Sequence, residues 1–399
     1  MKTLLVLGAS EGQLPVYWEA RRLGLRTIGV DQNPRAVAAS EADEFLCVST
    51  RNERAVRRAV GRRPIAGVTS PASDASALSV RRLSLAYRTP FCVSEAAARA
   101  SIDKAVFRRL VDRLKLPRYG WVRGTRVAEL CARARTLRFP IAVKPCDSSG
   151  SKGISILSEP SQLEEAVELA RGFASGGQVI VEEFVDGVHC SAECLIADHR
   201  PAFMAVMQRT MTPPPRVVTL EQLVPAAMSE GTAARLERAV TLICAALDLD
   251  RGPLNLDFVL SRSGEVHLVE LAARPGGNGI SRLVERTYGV NLAEAAVRVA
   301  VGDAVEIEPR PHGVGLLRIL EAPHDGVVAA IRGADEVAAM PETADFELFV
   351  EVGSPVLAYT EAAHKVGYLA VTAATAADAR AALDRALAVL HLDIPHPDE

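Results

Sequence analysis

The sequence predicts an α/β domain at its amino end, followed by α+β units. The chain has 399 residues, of which 49% are apolar and 24% charged, so it is long enough for two or three units with separate cores. The first ninety residues alternate short apolar runs with helix-like segments, which indicates βαβ units and a parallel sheet. Beyond residue 94 the strand-like runs are mixed with longer helices, a pattern typical of α+β folds.

The elements of the amino-terminal unit follow from this alternation. Strands are predicted at residues 3–7, 27–30 and 65–69, and helices at residues 15–23 and 53–60. The first strand runs into Gly8-Ala9-Ser10-Glu11-Gly12, and the second runs into Asp31-Gln32-Asn33-Pro34. Both turns therefore belong to the carboxyl edge of the parallel sheet, where α/β folds bind ligands.

The later elements are predicted from apolar runs and helical spacing. A helix-like residue pattern begins near residue 94, and strands are predicted at residues 139–145, 178–185 and 255–271. Short strands follow at residues 314–320, 347–352 and 367–372. Ala and Leu then recur at the spacing of one helix face, which predicts a closing helix over residues 376–390.

Charge and hydropathy exclude several classes of function. Forty-six basic residues face 49 acidic ones, and the net charge of −3 gives no overall attraction for nucleic acid or an anionic membrane. No apolar run approaches the roughly 18 to 20 residues of a bilayer-spanning helix, so we expect a cytoplasmic protein. Seven scattered cysteines without a Cys-x-x-Cys pair argue against a disulfide framework and a structural zinc site.

The strongest local signal is a lysine on a strand followed by a Gly/Ser loop. Lys144 ends the apolar run Ile141-Ala142-Val143, and Ser148-Ser149-Gly150-Ser151-Lys152-Gly153 follows it. Such a loop places an ammonium and several backbone N–H groups around phosphate oxygens, because glycine lets the backbone approach closely. The spacing is not that of a Walker A loop, and an ordinary hairpin turn with one exposed lysine is the alternative. Only six lysines stand beside forty arginines, so each lysine is a candidate for a role that a guanidinium cannot fill.

A second signal is a pair of carboxylates on a predicted hairpin. Asp257 and Glu270 flank a turn at Arg262-Ser263-Gly264. Two carboxylates on adjacent strands can bind Mg²⁺, because phosphate oxygens and water complete its octahedral shell. An edge hairpin with both acids facing solvent is the alternative.

In their order along the chain, these pieces resemble the ATP-grasp superfamily, in particular its biotin carboxylase-like and L-amino-acid ligase-like carboxylate-amine ligases. The resemblance covers nearly the whole chain. It implies a Rossmann-like amino-terminal (pre-ATP-grasp) domain over residues 1–93 and an ATP-grasp domain over residues 94–305, with a lid at about residues 115–182. A small α+β domain over residues 306–399 completes the implied fold.

The resemblance also implies a role for each matching residue. Lys104 and Lys144 match the phosphate-contacting lysines, and Asp257 and Glu270 match the metal-binding acids. Arg274 matches the arginine that stabilises the transferred phosphoryl group, and Lys152 lies in the matching lid loop. Arg318 resembles the arginine that binds a carboxylate in biotin carboxylase-like members. These three residues are the catalytic candidates. The other cofactor-binding candidates are lid-loop, adenine-hinge and ribose-contact residues: Ser149, Gly150, Ser151, Gly153, Glu182, Glu183, Phe184, Val185 and His189.

One position departs from the family pattern. The usual ending is E-x-N-x-R, but this chain has Glu270-Leu271-Ala272-Ala273-Arg274, and Ala272 cannot coordinate a metal. Either one metal is held more loosely, or water or a neighbour such as Asn255 or Asn278 supplies the missing oxygen.

The resemblance implies an ADP-forming ligase that uses ATP and Mg²⁺, or Mn²⁺, to activate a carboxylate as an acyl phosphate for attack by an amine. Amino-acid substrates are the first expectation. The alternatives are carboxyphosphate or formyl-phosphate chemistry on a purine-like metabolite, and a nucleotide-binding homologue without turnover, the latter prompted by Ala272. The expected partners are small-molecule substrates and a second copy of the chain in a homodimer. Neither nucleic acid nor a membrane is expected as a partner.

Two rival motifs carry little weight. Gly8-Ala9-Ser10-Glu11-Gly12 has the G-x-S-x-G form of a hydrolase nucleophile elbow, but it follows the first strand rather than an interior one. The same turn with Asp31 imitates a dinucleotide fingerprint, yet its later glycine is missing. This turn is instead expected to bind part of the carboxylate or amine substrate.

Overall fold

The structure is a computed structural model, and it describes residues 1–90, 93–214 and 216–395. Residues 1–90 form a parallel sheet of order β3-β2-β1-β4 with helices beside it, as the alternation predicts. Its elements are β1 (Thr3–Leu7), α1 (Leu14–Arg22), β2 (Arg26–Asp31), β3 (Glu44–Cys47), α2 (Glu53–Val60), β4 (Gly67–Thr69) and α3 (Ala77–Tyr87). β1 is completely buried, because apolar side chains cover both faces of a central parallel strand.

Two helices lead into a small antiparallel sheet of order β5-β8-β6-β7. Its elements are α4 (Glu95–Ile102), α5 (Lys104–Arg113), β5 (Trp121–Gly124), α6 (Val127–Ala134), β6 (Ile141–Pro145), β7 (Ser155–Leu157), α7 (Leu163–Phe173) and β8 (Val179–Glu183). Asp103 caps α5 by accepting hydrogen bonds from the amides of Ala105 and Val106, and this cap fixes Lys104 at the first position of the helix.

The largest sheet has eight strands in the order β13-β12-β9-β10-β11-β14-β19-β17, and each neighbouring pair is antiparallel. The elements of its first half are β9 (Gly187–Ala197), β10 (Arg200–Met211), β11 (Thr219–Val224), α8 (Glu230–Ala246), β12 (Arg251–Ser261), β13 (Val266–Ala272), α9 (Ile280–Tyr288) and α10 (Leu292–Val301). Alternation along these strands separates one buried face, around Cys194 and Leu256, from the face that carries the site.

The same sheet continues into the last part of the chain. The remaining elements are β14 (Val314–Glu321), β15 (Gly326–Val327), β16 (Ala330–Arg332), α11 (Ala334–Ala339), β17 (Thr343–Leu348), β18 (Pro355–Val356), β19 (Lys365–Ala373), α12 (Ala376–Val389) and β20 (His391–Asp393). Because β11 pairs with β14, main-chain hydrogen bonds cross the domain boundary that the sequence predicts after residue 305. The three-part division of the chain stays a proposal drawn from the sequence.

Most predicted elements appear close to their expected positions. The strand expected at residues 347–352 instead ends at Leu348, because its pairing with β19 stops at Gly367 and the chain then turns. Several strands were not predicted at all, among them β3, β5, β7, β9, β10 and β11. Six cysteines are free, five of them buried, and Cys92 lies outside the described residues. Within the described ranges, no helix has the length and apolarity that a membrane crossing requires.

Candidate active site

Lys144 on β6 faces a buried carboxylate on the neighbouring strand. Its Nζ lies 2.7 Å from Oε2 of Glu182 on β8, and Oε1 of Glu182 lies 3.2 Å from Nε of Arg108 on α5. Burial favours the neutral acid, but Lys144 and Arg108 together outweigh it and keep the pKa of Glu182 below its ordinary value. This network fixes the ammonium of Lys144 at the wall of a cavity.

The loop after β6 requires residues that tolerate left-handed backbone. Gly150, Ser151 and Gly153 have φ values of 70°, 61° and 67°. A Cβ at Gly153 would lie 2.8 Å from the ring of Phe173, so a larger residue would have to move that ring and adopt a strained left-handed backbone. The carbonyl of Ser148 accepts a hydrogen bond from Nζ of Lys104 at 2.5 Å. Lys104 thereby joins the start of α5 to the predicted phosphate loop.

Asp257 and Glu270 lie directly opposite each other on the β12–β13 hairpin. Oδ2 of Asp257 lies 2.5 Å from Nη1 of Arg209 on β10, and Oε1 of Glu270 lies 3.0 Å from Nζ of Lys104. Oδ1 of Asp257 is buried and has no hydrogen-bond partner among the described residues. Burial raises the pKa of Asp257, although the guanidinium of Arg209 acts against that rise. The hairpin therefore faces the cavity rather than solvent, which excludes the exposed-edge alternative.

Arg274, just beyond the same hairpin, meets the amino-terminal unit. Its Nη2 lies 2.7 Å from Oδ2 of Asp74, which sits in the turn after β4, and its Nη1 donates to the carbonyl of Pro275 at 3.0 Å. Nε of Arg274 and Oδ1 of Asp74 are both buried without a hydrogen-bond partner in the described ranges. Since both residues line the cavity, the pair retains a donor and an acceptor for a bound molecule.

The predicted adenine hinge follows β8. The amide of Glu183 donates to the carbonyl of Gly120 and that of Phe184 donates to the carbonyl of Pro140, each at 2.9 Å. Neither amide is therefore available to a base, and Val185 carries the next N–H along the hinge. The ring of His189 lies against that of Phe184, with centroids 5.7 Å apart. Burial, helped by nearby cations, lowers the pKa of His189, so its neutral ring can both donate to and accept from a hydroxyl group.

These side chains line one cavity of about 640 Å³. Its cationic residues are Lys104, Lys144, Lys152, Arg209, Arg274 and Lys365. Each of them has a carboxylate oxygen within 4.0 Å, and the loosest of these pairs is that of the half-exposed Lys152 with Glu361. The cavity therefore balances its own charges. A bound polyanion could replace the carboxylates as the partner of these cationic side chains, and a divalent cation could bind the carboxylates that are released.

The donor set fits Mg²⁺ held together with a nucleotide. No group of three or more His, Cys, Asp or Glu side chains forms a metal site of its own in the part of the chain that the structure describes. Asp257 and Glu270 offer two carboxylates, including the unpartnered Oδ1, and Mg²⁺ takes one or two carboxylates when phosphate oxygens and water complete its shell. Lys104 and Lys144 line the same cavity.

The position of the missing family asparagine is occupied in a different way. Ala272 lies opposite Asn255 on β12, and Nδ2 of Asn255 donates to Oε1 of Glu193 at 2.7 Å. Glu193 is fully buried and also accepts from the amide of Gly276 at 3.1 Å. Burial raises the pKa of Glu193 to about 7. Oδ1 of Asn255 accepts no hydrogen bond within the described ranges, so an amide oxygen is available across the hairpin from Ala272.

Contrary to the expectation that it meets a carboxylate substrate, Arg318 does not line the cavity with the other predicted site residues. Its Nη1 lies 3.2 Å from Oε1 of Glu221, and its Nη2 lies 3.1 Å from Oε1 of Glu321. The reason is strand alternation: Gln222 on β11 lines the cavity, whereas its neighbour Glu221 pairs with Arg318 across β14 and points to the opposite face. Arg380 on α12 binds Glu221 on that same face.

The other site residues predicted from the sequence line this cavity, except Gly153, which lies in the same loop but not on the cavity wall. Sequence reasoning missed Asp74, Arg209 and Lys365, which also line it. These three belong to no motif and reach the cavity from separate elements. Only the scarcity of lysine pointed toward Lys365.

Comparisons with known proteins agree with this geometry. Residues 103–308 match the family described as carbamoyl-phosphate synthase L chain, ATP binding domain, and residues 318–394 match L-amino acid ligase C-terminal domain 2. A formate-dependent phosphoribosylglycinamide formyltransferase of Synechococcus sp. is 30% identical over 310 residues, or 73% of this chain and 74% of that protein. Another from the same genus is 27% identical over 98% of both chains. The solved L-amino acid ligase of Bacillus licheniformis superposes with a TM-score of 0.86 at 19% identity over 99% of each chain.

Proposed function

The chain belongs to the ATP-grasp superfamily of ADP-forming carbon–nitrogen ligases, and from that premise we propose that it joins the carboxylate of one amino acid to the amine of another. ATP would phosphorylate the first carboxylate, and the amine would displace phosphate from the acyl phosphate to form an amide. ADP and phosphate would leave. The match of residues 318–394 to an L-amino acid ligase domain supports amino acids as substrates.

We assign the nucleotide end of the cavity to the residues around the phosphate loop. Lys104 and Lys144 would hold the phosphates, with the loop at residues 149–153 covering them and Lys152 approaching from its edge. Val185 would donate its amide to the adenine, and His189 would contact the ribose. Asp257 and Glu270 would bind Mg²⁺, which would neutralise phosphate charge and polarise the phosphorus–oxygen bond.

The reaction needs positioned charge rather than a protein nucleophile. Phosphoryl transfer depends on clamping the phosphates and on stabilising the negative charge that spreads over the transferred group. Arg274 carries a buried unpartnered Nε at the cavity, and Asp74 orients its guanidinium, so it would contact the transferred phosphoryl group. The attacking amine must be neutral, and the geometry that holds it beside the acyl carbon would supply most of the rate.

One observation carries this proposal: two lysines, two opposed carboxylates and a held arginine from separate parts of the chain line the same cavity. Isolated motifs of these kinds are common on surfaces and in hairpins. Their convergence on one cavity is what phosphoryl transfer to a carboxylate requires.

A second candidate is formyl-phosphate or carboxyphosphate chemistry on a purine-like metabolite. It is favoured by the names of the relatives, since both Synechococcus proteins are formate-dependent phosphoribosylglycinamide formyltransferases. A nucleotide-binding protein without turnover is a third, prompted by Ala272, although the free oxygen of Asn255 weakens that argument.

The test is ADP release by the purified chain with ATP and Mg²⁺. One reaction receives a mixture of the twenty amino acids, a second receives formate with phosphoribosylglycinamide, and a third receives neither. We expect ADP only with the amino acids, together with dipeptides detected by mass spectrometry. ADP only in the second reaction would replace the proposal by the purine-like alternative. ATP binding without ADP in any reaction would favour the inactive homologue.

A further inference from the structure

A buried arginine lies directly behind the cavity wall. Arg108, on α5, is 2% exposed and is not one of the residues that line the cavity. Its guanidinium donates to the carbonyls of Leu268 and Val269 on β13, and its Cζ lies 4.8 Å from the ring centroid of Tyr119. These contacts hold the guanidinium in one place between the helix and the β12–β13 hairpin.

The charge of Arg108 faces the carboxylate of Glu182. Among the described residues, Glu182 is the only acid with an oxygen within 4.0 Å of this guanidinium, and Oε1 lies 3.2 Å from Nε. These two atoms are not aligned for a hydrogen bond, so the contact is one of charge. The second oxygen of Glu182 lies 2.7 Å from Nζ of Lys144. Lys104 also acts on Glu182, but its own ammonium pairs with Glu270.

Lys144, Glu182 and Arg108 therefore form a row of three charges, in which two cations flank one carboxylate. The row carries one net positive charge, and it would carry none without the guanidinium. An ammonium has three donors, so Lys144 can keep its contact with Glu182 and donate to a phosphate as well. A carboxylate that nothing else neutralised would repel that phosphate at short range.

We propose that Arg108 is a positioning residue for the nucleotide: by neutralising Glu182, it leaves the charge of Lys144 free to act on the phosphates. This inference rests on the proposed nucleotide site, and it does not depend on which carboxylate and amine are joined. It has a specific consequence. The phosphates respond to the net charge of the row, so Arg108 becomes dispensable once Glu182 is made neutral.

The experiment compares Arg108→Met, Arg108→Lys and the double variant Arg108→Met with Glu182→Gln. The first removes the net charge of the row, whereas the other two retain it. Arg385 and Glu342 form an ion pair at 2.8 Å outside the cavity, so Arg385→Met, alone and with Glu342→Gln, is the matched control. Calorimetric titrations with Mg²⁺ present measure the affinity for ATP and, separately, for adenosine, which has the base and ribose without the phosphates.

We expect Arg108→Met to weaken ATP binding about tenfold, equivalent to about 1.4 kcal/mol, and to leave adenosine binding within about twofold of the parent. The double variant should return the ATP affinity to within about threefold of the parent, because its row again carries one positive charge. Arg108→Lys should stay in the same range, and the control variants should change neither affinity.

Equal losses of ATP and adenosine binding in Arg108→Met would show that Arg108 only packs the wall, and would overturn the inference. Arg108→Met leaves a buried carboxylate with one cation fewer, which can prevent folding. The double variant then decides: an ATP affinity near that of the parent supports the role, and a tenfold loss contradicts it. A parent protein that binds no ATP would overturn the nucleotide site itself. A parent that binds ATP but releases no ADP with amino acids would overturn the proposed reaction and leave this inference standing.

Discussion

Replacing Lys144 with methionine is the most direct test of the proposed nucleotide site. Methionine keeps an unbranched side chain of similar length but removes the ammonium that lies 2.7 Å from Glu182. Glu182 would keep Arg108 as its cation, so the buried carboxylate is not left alone. The variant therefore isolates the loss of one positive charge from the cavity wall.

The size of the effect follows from the kind of contact that is lost. A hydrogen bond between a charged donor and a phosphate oxygen contributes about 1.5 to 3 kcal/mol. At about 1.4 kcal/mol for each tenfold change, Lys144→Met should weaken ATP binding by about 12- to 140-fold. Turnover should fall further if Lys144 also stabilises charge that develops during transfer.

The assay is titration with a fluorescent ATP analogue, followed by ADP release at saturating ATP. Lys2→Met is the matched control, because Lys2 pairs with Asp303 on the surface. Circular dichroism melting shows whether the variant is folded at the assay temperature. An affinity within about threefold of the parent, with the fold intact, would remove Lys144 from the ATP site.

Further predictions concern the metal pair, the opposite sheet face and the buried acid. Asp257→Asn and Glu270→Gln should each raise the Mg²⁺ concentration for half-maximal activity about tenfold, or about 1.4 kcal/mol; an unchanged Mg²⁺ titration in both would make the hairpin structural. Arg318→Lys should lower the free energy of unfolding by about 1 kcal/mol in urea titrations while leaving kcat and KM unchanged. A large loss of carboxylate-dependent turnover would instead indicate that Arg318 binds the substrate. Because burial raises the pKa of Glu193 from 4.5 to about 7, the native state holds a proton that the unfolded chain releases. The free energy of unfolding should therefore fall as the pH rises from 4.5 to 7, and Glu193→Gln should reduce this fall by on the order of 3 kcal/mol, as urea titrations at pH 5 and pH 8 would reveal.

The sequence predicted the parts of the site that local motifs specify. Two of these parts depend on residues that are close in the chain: Lys144 with its loop, and Asp257 and Glu270 with their hairpin. Strand-like apolar runs and turn residues are therefore enough to predict their positions. The family resemblance supplied their relation to one another, and the structure brings them to one cavity. The matched family confirms the resemblance itself.

Contacts between distant segments could not be predicted in this way. Asp74 and Arg274 are 200 residues apart, and Glu11 and Lys365 are 354 apart. The residue pattern within one segment does not indicate which distant segment it contacts. Arg318 illustrates the related limit of strand register: a shift of one residue reverses the face, and only the pairing of Glu221 with Arg318 determines which side of the sheet carries the guanidinium.

The meeting of Glu11 with Lys365 has a consequence during synthesis on the ribosome. Chains emerge amino end first, at about 5 to 20 residues per second, so β1 and its turn are exposed long before β19 exists. Until residue 365 has left the exit tunnel, the cavity lacks one of its walls and Glu11 has no cation. A nascent chain can therefore form the wall that carries Lys104 and Lys144 early, yet it gains the wall that carries Lys365 only near the end of translation.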